Sequence, residues 1–232
     1  MRWFWIPEWD ILPGRISRQE IIGYPASNLV VEPTMVGLAG PTTRRSYREL
    51  SGRGWAVGAL LRPTAVPHLG PKPSTVVDQY IALELPELHA PMVTAMSSTA
   101  REDVRRSNAV AAFTSWLVAT LPPPGPEGLL ANTMADVIDE DPTIVRVADL
   151  AARLAVSIRT LQRVAHRYVG LTPAAMIRRR RLQHAAEQLR LHPDANIATI
   201  AADLGYADHA HLSTDFQTVL GFTPSNYRRS AR

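Results

Sequence analysis

The apolar positions change their period along the chain. Between about residues 15 and 62 they come in short runs, Ile21-Ile22, Asn28 to Val31, Met35 to Ala39 and Trp55 to Leu61, separated by glycine and proline. This spacing predicts short strands joined by turns. From 76 to 121 the pattern reads as helical, clearest from Arg101 to Leu121 and ended by Pro122-Pro123-Pro124. The stretch PPPGPEG is then a stiff linker or a sharp corner, and a further helix is expected from Leu129 to Ile138. The acidic Asp139-Glu140-Asp141-Pro142 marks a boundary. The expected organisation is an α+β N-terminal domain of short strands and helices, 1–140, followed by an all-α C-terminal domain, 141–232.

The C-terminal part repeats itself. LAARL at 150–154 matches IAADL at 200–204, and YVGLTP at 168–173 matches VLGFTP at 219–224, with offsets of 50 and 51. The extra residue falls where Ala155-Val156 in the first copy faces Gly205-Tyr206-Ala207 in the second, which is a turn position. In each copy a short helix with small residues (Ala151 and Ala152; Ala201 and Ala202) precedes a tight turn and a second amphipathic helix, the helix-turn-helix pattern. Leu150, Leu154, Ile158, Leu161 and Val164 make one apolar face in the first copy, and Ile200, Leu204, Leu212 and Phe216 the corresponding face in the second. Ser157 and Asp208 stand where the second helices need N-caps, and Gly170 and Gly221 where they need to stop. Between the copies, Thr172 and Pro173 open a helix that His192-Pro193 ends near Leu191. A rod of that length, roughly 27 Å, suits two readers placed in adjacent major-groove windows of one duplex.

Charge follows the same division. From Asp141 onward there are 13 arginines and no lysine against 7 acidic residues, whereas 1–140 is slightly acidic. Guanidinium matches phosphate oxygens bidentately, so an arginine-biased domain suits nucleic acid; a merely solvated basic surface has the same composition. With 46% hydrophobic residues the chain has the makings of packed cores, and the absence of cysteine excludes disulfides, a thiol nucleophile and a thiolate metal site. That absence suits a reducing cytoplasm. Neither a signal peptide nor a membrane span is expected, because Pro7, Glu8 and Asp10 break the aromatic start and the apolar run 109–121 is too short.

From about Asp141 to Arg229 the sequence resembles the AraC/XylS-type transcription regulators, through SIRTLQRVAHRYVGLTP at 157–173, the linking-helix run RRRRLQHAAEQL, and IAADLGYADHAHLSTDFQTVLGFTPSNYRR at 200–229. Residues 12–69 look like the N-terminal domain of one branch of the same regulators. The resemblance implies two helix-turn-helix units joined by one long helix and sequence-specific binding of double-stranded DNA. It makes Ser157 to Tyr168 the first reader, with Arg159, Thr160, Gln162, Arg163 and Arg167 toward DNA, and Asp208 to Leu220 the second, exposing His209, His211 and Thr214. Chemistry agrees, since Arg can pair with guanine and Gln with adenine in the major groove. The family often carries arginine where Thr214 stands here, which points to a dominant first reader. Of Arg178 to Arg181, Arg178 or Arg179 is the candidate for phosphate, and Arg181 for bracing the linking helix; Asp215 reads as structural.

Two rival classes stand beside this one. A helical protein-interaction module would use the same amphipathic helices. An enzyme would need the acid/base material His68, Asp78, Glu84, Glu87 and His89, but no known catalytic spacing joins these residues. No catalytic residue, cofactor or metal is therefore expected; His209 and His211, two apart, do not share a helix face. Trp3, Trp5, Trp9 and Trp55 are equally suited to a pocket for an apolar or aromatic effector, to a core, or to a partner patch. RNA polymerase, a small-molecule effector and a second copy of the chain complete the expected partners.

Overall fold

Alternation along the segment 28–32 gives the N-terminal part its two sides: Leu29 and Val31 are fully buried on one, while Asn28, Val30 and Glu32 face a cavity on the other. The computed structural model describes residues 1–21 and 23–230; Ile22, counted above in an apolar run, and Ala231 and Arg232 lie outside the described residues. The described strands are Phe4–Trp5 (β1), Glu8–Asp10 (β2), Ser17–Ile21 (β3), Asn28–Glu32 (β4), Met35–Ala39 (β5), Ser46–Leu50 (β6), Arg53–Trp55 (β7), Val57–Leu60 (β8) and Tyr80–Leu83 (β9). Five form an antiparallel sheet in the order β1-β8-β4-β5-β9, and β2–β7 and β3–β6 form two ribbons beside it. Helices Pro86–Met96 (α1) and Glu102–Thr120 (α2) cover the other side, where Leu88, Met92, Phe113 and Trp116 join Leu29, Val31 and Leu38 in one core.

The helical reading of 76–121 is corrected at its start. Tyr80-Ile81-Ala82-Leu83 is a strand, paired Tyr80 to Ala39 and Leu83 to Val36. A short apolar run with β-forming residues fits either element, and the open edge of β5 decides it. Helix begins only at Pro86, whose fixed φ suits a first turn.

The C-terminal helices are Pro126–Glu140 (α3), Val147–Arg153 (α4), Ile158–Tyr168 (α5), Pro173–Leu191 (α6), Ile197–Asp203 (α7), His209–Leu220 (α8) and Pro224–Ser230 (α9). They build two cores. The first joins Ala131, Met134 and Ile138 of α3 to Leu150, Leu161, Val164 and Met176; the second joins Leu182, Ala186 and Leu189 to Ile200, Leu212 and Phe216. Helix α6 therefore belongs to both, and at 19 residues it is about 28 Å long. Helix α3, which precedes the acidic boundary at Asp141, is packed as part of the first helix-turn-helix unit. Ile158, expected in that unit's apolar face, is 44% exposed, because the cap at Ser157 turns the first residue of α5 outward.

The two halves meet over α3, α6 and the end of α5. Arg2 pairs with Asp139 at 2.6 Å, Arg62 with Asp136 at 2.8 Å, and Asn132 Oδ1 accepts from the Thr64 amide at 3.3 Å. Gly170 is needed twice over: its φ is +83°, and a Cβ there would stand 2.4 Å from the Pro73 carbonyl.

Candidate nucleic-acid interface

Each of the two helices expected to read DNA, α5 and α8, begins on a side-chain cap. Ser157 Oγ accepts the Thr160 amide at 3.1 Å, and Asp208 accepts the His211 amide at 2.7 Å. The turns that precede the caps use the left-handed region in both copies, at Ala155 with φ +52° and at Gly205 with φ +70°. Glycine fits there without strain, whereas the Cβ of alanine crowds the following carbonyl oxygen.

In α5 the burial of Leu161, Val164 and Ala165 against α3 and α4 forces Arg159, Gln162, Arg163, His166 and Arg167 to the surface together. Among the described residues Arg159 makes no hydrogen bond or ion pair. Thr160 is half-buried, and its hydroxyl stays 2.9 Å from Ser157 Oγ, so these two side chains serve the cap and stand at the edge of the exposed face. Arg163 and Arg167 share one carboxylate: both guanidinium groups donate to Glu127 in the first turn of α3, Arg167 at 2.8 Å. The Tyr168 hydroxyl lies 3.4 Å from the same group. Glu127 and His166 are features of this face that the sequence reading did not single out, and Ile158 joins it in place of the apolar face expected for it.

In α8 the buried Leu212, Phe216 and Val219 leave His209, His211 and Thr214 exposed. The His211 ring meets the Tyr206 ring edge to face at 5.1 Å. No arginine or lysine lies on α8, so this face offers hydrogen bonds without a fixed cation.

The run Arg178 to Arg181 sends four guanidinium groups four ways, as a turn of about 100° per residue requires. Arg178 donates through Nε to Asp215 at 2.9 Å and stays 45% exposed; that bond, outweighing partial burial, pushes its pKa above the ordinary value. Arg179, the alternative candidate for phosphate, is 2% exposed and donates to Gly23 O, Thr42 Oγ1 and Val219 O, so it cannot touch DNA. Burial lowers its pKa to about 10, opposed by the charge of Asp78. Arg180 pairs with Asp139. Arg181 donates to Leu204 O at 2.7 Å and lies 3.9 Å from the Tyr206 ring centroid, which is the bracing role expected of it. Asp215 also accepts from the Tyr206 hydroxyl at 3.1 Å, and burial, aided by that carboxylate, raises the tyrosine pKa.

Among the described residues no three His, Asp or Glu side chains are grouped to hold a metal ion, and no helix is long and apolar enough to cross a membrane.

Comparison with known proteins matches two separate parts of the chain. Residues 150–230 match a helix-turn-helix domain family, and residues 1–82 match a domain family of unknown function, DUF6597. The transcriptional activator RhaS of Escherichia fergusonii is 40% identical over 80 residues, covering 34% of this chain and 28% of that protein. An AraC-like transcription regulator of Streptomyces lividans is 42% identical over 83 residues, covering 36% and 27%. The chain thus spans well under a third of the length of these curated relatives. The solved structure of ToxT from Vibrio cholerae O395 superposes with a TM-score of 0.53 at 14% identity, covering 97% of each chain, which establishes a shared fold. A second ToxT structure, with an unsaturated fatty acid bound, gives a TM-score of 0.51 at 14% identity over 97% of this chain and 94% of that one.

Proposed function

We propose that residues 150–230, which match a helix-turn-helix domain family and resemble AraC-like regulators, make the chain a sequence-specific DNA-binding transcription regulator that reads two adjacent major-groove windows under the control of a small molecule. The observation that carries the reading is the placement of two similarly capped helices, α5 and α8, on one shared helix of 19 residues. With helix diameters added, that rod matches the roughly 34 Å between successive windows on one face of B-DNA. One chain carries both readers, so the proposal needs no second copy to span them.

Within this reading Arg159, Gln162 and Arg163 contact base edges, and Arg167 and Arg178 contact phosphate. Ser157, Thr160 and Asp208 set the helix ends, while His209, His211 and Thr214 supply weaker polar contacts from α8. The unequal chemistry of the two helices supports a dominant first reader. The chain performs no catalysis in this reading; its output is recruitment or exclusion of RNA polymerase at a promoter in the cytoplasm. Control by a small molecule is supported by a cavity in the N-terminal part and by a fold shared with a protein solved with a fatty acid bound.

The test is selection of bound sequences from a random duplex pool, using the full chain at near-physiological salt. A bipartite motif with elements about one helical turn apart is the expected result. A single enriched element would confine base reading to α5, and no enrichment at any salt, with the protein folded, would overturn the reading.

A further inference from the structure

On the side of the five-stranded sheet away from α1 and α2, the ribbons β2–β7 and β3–β6 border an open cavity of about 450 Å³. Small-molecule sites have volumes of this order. Trp5, Trp9, Tyr24, Tyr47 and Tyr80 line it, and glycines make room for three of these rings, those of Trp5, Trp9 and Tyr80. A Cβ on Gly58 would stand 2.0 Å from the Trp5 ring, one on Gly37 2.3 Å from the Tyr80 ring, and one on Gly54 2.5 Å from the Trp9 ring. The polar edge of each of these three is already engaged: Trp5 Nε1 donates to Asn28 Oδ1 at 3.0 Å, Trp9 Nε1 to Ser51 O at 3.3 Å, and the Tyr80 hydroxyl to Glu32 at 2.7 Å. What these three side chains offer an occupant is ring faces. Trp3 and Trp55 do not line it; Trp3 stacks edge-on against Tyr24, and Trp55 packs on the N-terminal core.

The charges in the wall are matched before anything enters. Glu32 pairs with Arg48, whose guanidinium lies 4.3 Å from the Tyr80 ring centroid. Asp78 accepts the Thr43 amide at 2.8 Å and its hydroxyl at 2.5 Å. An ion entering here would give up water without gaining an unmatched counter-ion, a cost that an uncharged ring system avoids.

One segment of wall is also a contact with the linking helix. Gly23 and Thr42 line the cavity, and Arg179 of α6 holds both, with Nε 2.9 Å from Gly23 O and Nη2 3.0 Å from Thr42 Oγ1. Gln183, one turn along, donates to the same Gly23 oxygen at 2.9 Å. The remaining guanidinium nitrogen of Arg179 donates to Val219 O, near the end of α8, at 3.4 Å. A single buried side chain thus spans from the cavity wall to the second reading helix.

We infer that this cavity is the receptor site for an uncharged, planar, ring-bearing molecule, and that Arg179 transmits its occupancy to the helix joining the two readers. The inference rests on the regulator reading above for its output, though the cavity's ligand chemistry does not. A ligand regulates only by binding two states unequally, and displacement of Gly23 or Thr42 supplies the difference that Arg179 senses.

The test uses two fluorescent probes on the full chain, neutral N-phenyl-1-naphthylamine and anionic 8-anilinonaphthalene-1-sulfonate. Saturable binding of one neutral probe per chain is expected, at least tenfold tighter than the anion. Ala39→Phe, which fills the cavity, should weaken it at least tenfold with an unchanged circular dichroism spectrum, and Val30→Met serves the same purpose if that variant does not fold. No binding, equal affinity for both probes, or undiminished affinity in the folded filled variant overturns the assignment of the site. Saturating neutral probe should then change affinity for the selected duplex at least threefold in the natural protein and leave it unchanged in Arg179→Lys, which still binds probe. The same response in both proteins, or none in the natural one, overturns the transmission through Arg179. A protein that binds probe but selects no duplex locates the failure in the regulator reading instead.

Discussion

Arg178 on the linking helix and Asp215 on the second reading helix are joined by a hydrogen bond of 2.9 Å from Nε. Asp215 also receives the hydroxyl of Tyr206, a residue only 5% exposed, so one carboxylate fastens the linking helix and the turn of the second unit to α8. Removing it in Asp215→Ala leaves a buried hydroxyl unpaired. The variant is expected to lose about 1–3 kcal/mol in urea denaturation, and Asp215→Asn, which keeps an acceptor for Tyr206, clearly less. Equal losses would mean that the ion pair, and not the buried hydroxyl, sets the cost.

Arg178 itself remains open enough to reach a phosphate while paired. Arg178→Ala should weaken binding to all duplexes alike and reduce the slope of log K against log salt by about one. A loss confined to the selected sequence would instead assign it to base reading.

In the proposed reading, Glu127 competes with DNA for Arg163 and Arg167. Glu127→Gln removes a negative charge beside the reading face, so affinity should rise several-fold at low salt and the salt slope should steepen. Its effect on stability should stay within about 1 kcal/mol, because both arginines are more than half exposed. A weaker affinity in this variant would show that the carboxylate holds the arginines in their reading positions.

Arg159 has no partner to lose among the described residues. Arg159→Ala should leave the melting temperature unchanged and cost about 1–3 kcal/mol of discrimination between selected and unrelated duplexes. An unchanged preference with unchanged affinity would remove this residue from the reading face.

Ala155 occupies the left-handed turn that the second copy gives to Gly205. Ala155→Gly is expected to stabilise the protein by about 1 kcal/mol in chemical denaturation, the relief of the Cβ contact exceeding the added freedom of the unfolded chain. Destabilisation would show that the chain entropy dominates.

What the sequence reveals of this architecture is its local part. The caps at Ser157 and Asp208, the stop at Gly221 and the two ends of α6 each depend on residues within a few positions of each other, and the structure has them where they are expected. Strand 80–83 is decided by an edge some forty residues earlier in the chain, which periodicity cannot see. The four arginines are illegible for a related reason. Helix α6 is buried against two cores and the N-terminal part around most of its circumference, so polar residues fall on buried as well as exposed sides, and Arg179 and Gln183 are inside. Glu127 approaches Arg163 across 36 positions. The aromatic faces of the cavity depend on glycines in other strands, and the composition that holds Trp5 and Trp9 does not distinguish them from Trp3 and Trp55.

The inequality of α5 and α8 has a consequence for how such a protein sits on a genome. Two unlike readers on one rod have no twofold axis, so the bound chain is an arrow: the arginine-bearing end points one way along the duplex and the histidine-bearing end the other. Inverting the site would turn the N-terminal part toward the opposite flank, and position relative to a start of transcription would then matter as much as affinity.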